Sequence, residues 1–243
     1  MNIDLENPIA ITREIYWVGF YDEEADMHCN AYLLVDDQEA ILFDPGSIPH
    51  FPIVMGKIIE LIEPQKISTI IVNHQDPDVC GSLPVVEDVI ERDNLKIITH
   101  SRTVRFLTHY GIHSEIIPID KQDNRLVLNS GRTLTFHPTP YLHAFGAMAV
   151  LDEQTGSLFT GDLFGAVSKN WKLFAKDDYL EPMSLFHRMI LSGNRELKAG
   201  IEQLEKLEVD RILPQHGSVI ERPMINKVMN HLRNLKCGLD LEA

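Results

Sequence analysis

Apolar residues follow two rhythms along this chain. Short β-branched or alternating runs bounded by Asp, Asn and Gly give way to stretches whose apolar positions recur every three or four residues, which predicts strands and helices in alternation. Strands are expected at 14–20, 30–35 and 40–43, the last two joined by the Asp36-Asp37-Gln38 turn, as an opening antiparallel sheet. Asp44-Pro45-Gly46-Ser47 ends it. Ile53, Val54, Ile58, Ile59 and Ile62 then predict a helix over 51–62, stopped before Pro64. A strand at 67–72, a helix at 83–92 with Pro84 in its first turn, a strand at 95–99 and a helix at 101–109 closed by Gly111 complete the first half.

The second half repeats the theme without repeating the sequence. Short strands are predicted at 116–119, 125–128, 133–136, 147–151 and 157–160, then amphipathic helices at 181–191 and 196–207 and a strand at 211–213. A closing helix over 223–235 carries Ile225, Val228, Met229, Leu232 and Leu235 on one side. No Gly/Ser-rich or Pro-rich linker interrupts the pattern. The expectation is an α/β chain forming one domain over 1–243, with two β-then-α halves, their sheets packed together and helices outside.

Composition narrows the partners more than the fold. At 44% hydrophobic and 24% charged residues, the 243-residue chain is ordinary globular protein with enough apolar surface for a substantial core. A formal charge of −14, from 36 acidic against 22 basic residues, argues against nucleic acid, because no basic cluster is available to neutralise phosphates. The first residues lack a basic and then apolar leader, and no apolar stretch approaches membrane-spanning length, so a cytoplasmic protein without a membrane partner is expected. Cys29, Cys80 and Cys237 are too few and too widely spaced for a disulfide framework or a Cys-rich zinc motif.

Chemistry concentrates in Ile70-Ile71-Val72-Asn73-His74-Gln75-Asp76-Pro77-Asp78, where a buried-type strand ends in one imidazole and two carboxylates at alternate positions. His143, Asp162 and His216 each follow another strand-like run, in Thr139-Pro140-Tyr141-Leu142-His143, Leu158-Phe159-Thr160-Gly161-Asp162 and Ile212-Leu213-Pro214-Gln215-His216. Four strand ends that deliver His and Asp to one point predict a two-metal site where the halves meet. Any one of these residues alone would be an ordinary turn Asp or core His.

Together with Tyr16-Trp17-Val18-Gly19, Asn30-Ala31-Tyr32-Leu33-Leu34, Phe159-Thr160-Gly161-Asp162-Leu163-Phe164-Gly165 and Pro214-Gln215-His216-Gly217, the spacing resembles the metallo-β-lactamase superfamily. Within it the chain is most similar to the flavodiiron branch, from about Ile15 to the closing helix. The resemblance implies a four-layer αβ/βα sandwich and two iron ions, oxo- or hydroxo-bridged. His74, Asp76, His143 and bridging Asp162 would hold one iron, and Asp78, Asp162 and His216 the other. Zinc hydrolases of this fold carry His where Asp76 stands and a further His where this chain has Val79. Three carboxylates with three imidazoles are a harder donor set, which favours iron over zinc, with manganese as the other hard-site alternative. Val79 leaves the second metal three protein donors and an open position beside an apolar wall.

Flavodiiron proteins append a flavodoxin-like domain, whereas the resembling module takes up nearly all of this chain, so no flavin is expected in it. The short Asp22-to-His28 segment also replaces a longer insertion. These departures resemble stand-alone oxygen-binding diiron proteins, some of them linked to bacterial chemotaxis. The implied function is dioxygen binding as a peroxo-type adduct and oxygen sensing through a signalling partner. The alternatives are an oxygen or nitric oxide reductase fed by an external flavoprotein or rubredoxin, and a dinuclear metallohydrolase. A homodimer is left open.

Further residues around these motifs carry alternative roles. Asp44 is either an acceptor that orients a ligand His or a turn residue. His28 either approaches the open metal position or is solvated in its acidic loop. Cys80, at an expected helix start where N–H groups lower a thiol pKa, is either a redox sensor or a packing residue; Cys29 is expected to pack. Trp171, Phe174, Tyr179 and Phe186 either roof the site or fill the core.

Overall fold

Ile67–Ile71 is buried at all five positions, as a strand with helices on one face and a second sheet on the other must be. In the computed structural model, which describes residues 3–22 and 26–241, this strand is fifth of seven in the first sheet. The order is Ile9–Ala10, Ile15–Trp17, Tyr32–Asp36, Glu39–Phe43, Ile67–Ile71, Lys96–Thr99 and Glu115–Pro118. Pairing is antiparallel up to Glu39–Phe43 and parallel from there on, the strand direction that crossover connections allow. The second sheet runs Arg125–Val127, Thr133–Pro138, Met148–Asp152, Ser157–Phe159, Arg211–Leu213 and Ile220–Glu221, with Ser157–Phe159 and Arg211–Leu213 parallel.

Three apolar clusters give the layers. Val54, Met55 and Ile58 of the helix Phe51–Leu61 and Leu83, Val86 and Ile90 of the helix Leu83–Ile90 pack on one face of the first sheet, against Leu33, Leu42 and Ile70. The helices Leu180–Ile190, Asn194–Leu204 and Arg222–Arg233 cover the outer face of the second sheet. Between the sheets lie Trp17, Tyr32, Phe43 and Ile71 from one and Phe136, Val150, Phe159 and Leu213 from the other. Phe43 and Phe159 stack across this seam with centroids 3.7 Å apart, so burial of aromatic area fixes one sheet on the other. The result is the four-layer αβ/βα sandwich that the sequence resemblance implies.

Several boundaries differ from the sequence expectation. The strand expected at 14–20 stops at Trp17, and Phe20–Asp22 instead pairs with Met27–Cys29 in a separate hairpin. Gly19 lies at the break, where a Cβ would fall 2.3 Å from the Cys29 carbonyl oxygen. Glu23, Glu24 and Ala25 of the expected short loop, and Met1 and Asn2 of the expected leaderless start, lie outside the described residues. The helix expected at 101–109 ends at Leu107, and a 3-10 turn at Thr108–Tyr110 leads to Gly111 at φ 78°. Among the described residues no helix is long and apolar enough to cross a membrane.

Candidate metal centre

Each sequence-predicted site residue follows the carboxyl end of a strand. His74, Asp76 and Asp78 come after Ile67–Ile71, His143 after Thr133–Pro138, Asp162 after Ser157–Phe159 and His216 after Arg211–Leu213. Asp76 is the extended residue before a four-residue helix, Pro77–Cys80, whose Pro77 suits the first turn; the helix lifts Asp78 away from Asp76. That element is too short to have been expected from periodicity.

The structure brings all six side chains together around Asp162. Its Oδ2 lies 3.0 Å from His143 Nε2, and its Oδ1 lies 3.6 Å from both His74 Nε2 and His216 Nε2. Asp76 Oδ2 is 3.2 Å from His143 Nε2 and 3.9 Å from His74 Nε2, while Asp78 Oδ2 is 3.2 Å from His216 Nε2. The imidazoles of His74 and His143 meet nearly at right angles, with centroids 5.1 Å apart. Donor atoms thus fall into two groups on either side of one carboxylate. His74, Asp76 and His143 form one, and Asp78 and His216 belong to the other, which also contains Cys29.

The electrostatics of the site favour positive charge beside its carboxylates. Burial pushes the Asp162 carboxyl up, but the imidazoles of His74 and His216 and the hydrogen bond from His143 hold it well below the usual carboxylate range. His143 is raised to about 10 by its hydrogen bonds to Asp162 and Asp76. His216 rises well above the ordinary value, because Asp162 and the Asp78 hydrogen bond outweigh burial. His74 Nε2 and Asp162 Oδ1 are nonetheless buried without a hydrogen-bond partner. Unpaired buried polar atoms are costly, and a metal ion on each side of Asp162 would satisfy both. With three carboxylates and three imidazoles the residues fit a pair of hard or borderline divalent ions such as iron.

The supporting shell is largely backbone. His216 Nδ1 donates to the His28 carbonyl oxygen at 2.8 Å, which turns Nε2 toward the centre. The loop carrying His216 is held by Asn30, whose Nδ2 donates to the carbonyls of Pro214 and Gly217, each at 2.9 Å, and by the Tyr32 hydroxyl, which donates to Pro214 at 3.0 Å. Asn30 Oδ1 in turn accepts from Trp17 Nε1 at 2.7 Å. Gln215 donates through Nε2 to the Asp78 carbonyl at 3.2 Å and so joins the two ends of the second donor group. None of these roles was assigned from sequence. Asn30 and Tyr32 lie in a matched segment, but their targets are carbonyls, which leave no mark in a sequence.

Against the alternatives weighed for them, Cys80 packs as one reading had it, whereas Asp44 and His28 take other roles. Among the described residues Asp44, at φ 47°, makes no hydrogen bond to a histidine; it accepts from Asn73, through Oδ1 from the backbone N–H and through Oδ2 from Nδ2, both at 2.8 Å. Burial raises its carboxyl to about 7. His28 is not solvated: its ring is stacked between Tyr21 and Trp171 at 4.4 and 3.9 Å, and burial pushes its imidazole down to about 3. It serves the centre through its carbonyl. Val79 is fully buried in the first-half cluster, and Cys80, at the end of its short helix rather than the start, donates to the Asp76 carbonyl at 3.3 Å. Burial pushes the Cys80 thiol up to about 12, the opposite of a reactive thiolate.

The aromatic residues divide between the two roles weighed for them. Phe186 sets its edge against His216 at 5.4 Å, Tyr179 donates to the Phe164 carbonyl at 2.8 Å, and Trp171 and Phe174 line a cleft of about 320 Å³ beside the hairpin. His187 is fully buried and accepts from the Phe164 N–H at 3.1 Å, fixing the turn after Asp162.

Known proteins resemble the chain over most of its length. A family model described as ODP family beta lactamase matches residues 27–217. An uncharacterised protein of Methanocaldococcus jannaschii is 29% identical over 91% of this chain, and the nitric oxide reductase of Moorella thermoacetica is 25% identical over 88% of it. The chain spans 58% of the length of each. Among solved structures, the peroxy diiron species of a chemotaxis sensor, ODP, superposes with a TM-score of 0.83 at 28% identity, covering 97% of both chains.

Proposed function

Because the chain belongs to the ODP family beta lactamase family, we propose that it is a diiron protein that binds dioxygen and serves as an oxygen sensor. His74, Asp76 and His143 would hold one iron, Asp78 and His216 the other, and Asp162 both. The observation that carries the reading is the placement of Asp162, with one oxygen 3.0 Å from His143 and the other 3.6 Å from His74 and His216, between the two donor groups. An iron pair held there would supply affinity for dioxygen and the redox capacity to reduce it by two electrons. The protein contributes position: His216 is aimed by the His28 carbonyl, and the turns bearing His74 and Asp162 are pinned by Asp44 and His187.

Sensing is supported by the connection of the second donor group to a surface element. His216 is bonded to His28 of the Phe20–Asp22/Met27–Cys29 hairpin, so a shift in that imidazole is carried to the hairpin and the Trp171 cleft. The matched chemotaxis sensor points the same way. A second reading, an oxygen or nitric oxide reductase supplied by a separate flavoprotein, is favoured by the similarity to the Moorella reductase.

Anaerobic protein loaded with ferrous iron and then exposed to air tests the reading. A visible charge-transfer band should appear without sustained oxygen consumption when NADH and a flavoprotein donor are supplied. A colourless protein rules out dioxygen binding, and steady turnover moves the assignment to the reductase.

A further inference from the structure

We propose that Cys29 is a protein ligand of the second metal, its thiolate occupying the coordination position that Val79 leaves open. The inference rests on the two-metal reading above and adds a residue to it. Cys29 ends the strand Met27–Cys29 and is 4% exposed. Its Sγ, a carboxylate oxygen of Asp78 and a ring nitrogen of His216 all lie within 4.8 Å of one another. This matches the other side of the site, where His74, Asp76 and His143 form a group by the same measure.

The donor count explains why a seventh residue belongs there. With Asp162 shared, the first metal has four protein donors and the second, from Asp78 and His216, only three. Cys29 makes the two sides equal. A second observation points to a cation between these groups: Asp162 Oδ1 is buried, has no hydrogen-bond partner, and lies 3.6 Å from the His216 Nε2 that faces Asp78. Val79 cannot fill the position, since its side chain is committed to the apolar cluster under the first sheet.

Backbone geometry holds the thiol in place. Cys29 is registered opposite Phe20 in the hairpin, the adjacent His28 carbonyl accepts from His216, and the adjacent Asn30 N–H donates to the Gln215 carbonyl at 2.7 Å. The segment bearing the thiol and the loop bearing the imidazole are therefore tied together on both sides of Cys29. Metal binding breaks the S–H bond, forms a sulfur–metal bond and releases one proton to solvent, with no change in oxidation state. A thiolate also makes this side softer and more electron-rich than the other, so the two metals become chemically inequivalent.

Cobalt(II) added to the metal-free protein tests the assignment. Two equivalents should bind to the wild type and give a near-ultraviolet thiolate-to-cobalt charge-transfer band beside the ligand-field bands. Cys29→Ser and Cys29→Ala should lose the charge-transfer band and keep cobalt at the first position. The Cys80→Ser/Cys237→Ser double variant, in which Cys29 is the remaining thiol, should keep the band at full intensity. Two bound cobalt ions without the band in the wild type, or a band that survives in either Cys29 variant or vanishes in the double variant, overturns the role of Cys29 and leaves the two-metal reading standing. Failure of the wild type to bind two equivalents instead removes the reading on which the inference rests.

Discussion

Asp44 grips Asn73 at two points, its Oδ1 accepting from the backbone N–H and its Oδ2 from the side-chain Nδ2, both at 2.8 Å. Asn73 immediately precedes His74, so this pair of bonds sets the direction in which the chain leaves the strand Ile67–Ile71. Asp44→Ala should lower iron affinity by about 10–100-fold, the usual cost of losing an outer support of a metal site. Asp44→Asn should cost less, since Asn tolerates φ 47° and keeps one acceptor oxygen. Ferrous-iron titration monitored by calorimetry measures both; equal affinities for Asp44→Ala and wild type would contradict this role.

In the metal-free protein His143 carries a proton bonded to Asp162 and Asp76, which raises it to about 10 from an ordinary value of 6.5. A raised histidine stabilises the fold fully below its unfolded value and loses that contribution as pH climbs through the folded one. Apoprotein Tm should therefore fall between about pH 6.5 and 10, and His143→Gln should flatten that fall. Asp162 acts on the other side: its carboxyl is held down, so its contribution is present above the unfolded value and disappears as pH drops. Thermal scans across pH report both limbs, and an alkaline limb as steep in His143→Gln as in wild type would refute the assignment.

Gly161 adopts φ 56°, and a Cβ there would come 3.3 Å from both Asn73 Cβ and His74 Nδ1. Gly161→Ala combines left-handed backbone strain, about 1–2 kcal/mol, with pressure on a metal-site imidazole. Reduced stability in urea together with weaker iron binding is expected. Full iron affinity in a destabilised variant would show that His74 yields without consequence.

Arg132 and Asp152 are 4% and 0% exposed, and the guanidinium meets the carboxylate through Nε at 2.9 Å and Nη2 at 2.6 Å. Arg132 directly precedes the strand Thr133–Pro138 of the second sheet, and Asp152 ends its neighbour Met148–Asp152. Asp152→Ala leaves a buried cation uncompensated and should destabilise by about 3–5 kcal/mol. Urea denaturation measures it, and iron stoichiometry of the folded variant should stay at the wild-type value. A loss under 1 kcal/mol would mean that the Asp36 carboxylate, 3.6 Å from Arg132 Nη1, takes over the role.

What the sequence discloses follows from where its signals are local. The strand before His74 is legible because the β-branched run Thr69-Ile70-Ile71-Val72 leads straight into the ligand residues, and the closing helix because its apolar face recurs with helical spacing. The six site residues are legible because each ends such a strand. The Met27–Cys29 strand is not, because its sulfur-bearing and imidazole residues match no strand pattern and its partner Phe20 continues the apolar run of 14–20 in sequence, whereas in the fold Gly19 breaks that run. The function of His28 is hidden for another reason: its carbonyl, not its ring, supports His216. Asp44 likewise acts on Asn73 rather than on a histidine, a contact set by the parallel pairing of Glu39–Phe43 with Ile67–Ile71.

The most direct test of the account is iron stoichiometry in wild type and Asp162→Ala, loaded anaerobically and measured after removal of free metal. The shared carboxylate predicts two ferrous ions per chain in the wild type and loss of at least one in the variant, whose fold should be retained. One ion or none in the wild type, or two in Asp162→Ala, would contradict a pair of metals held on either side of Asp162.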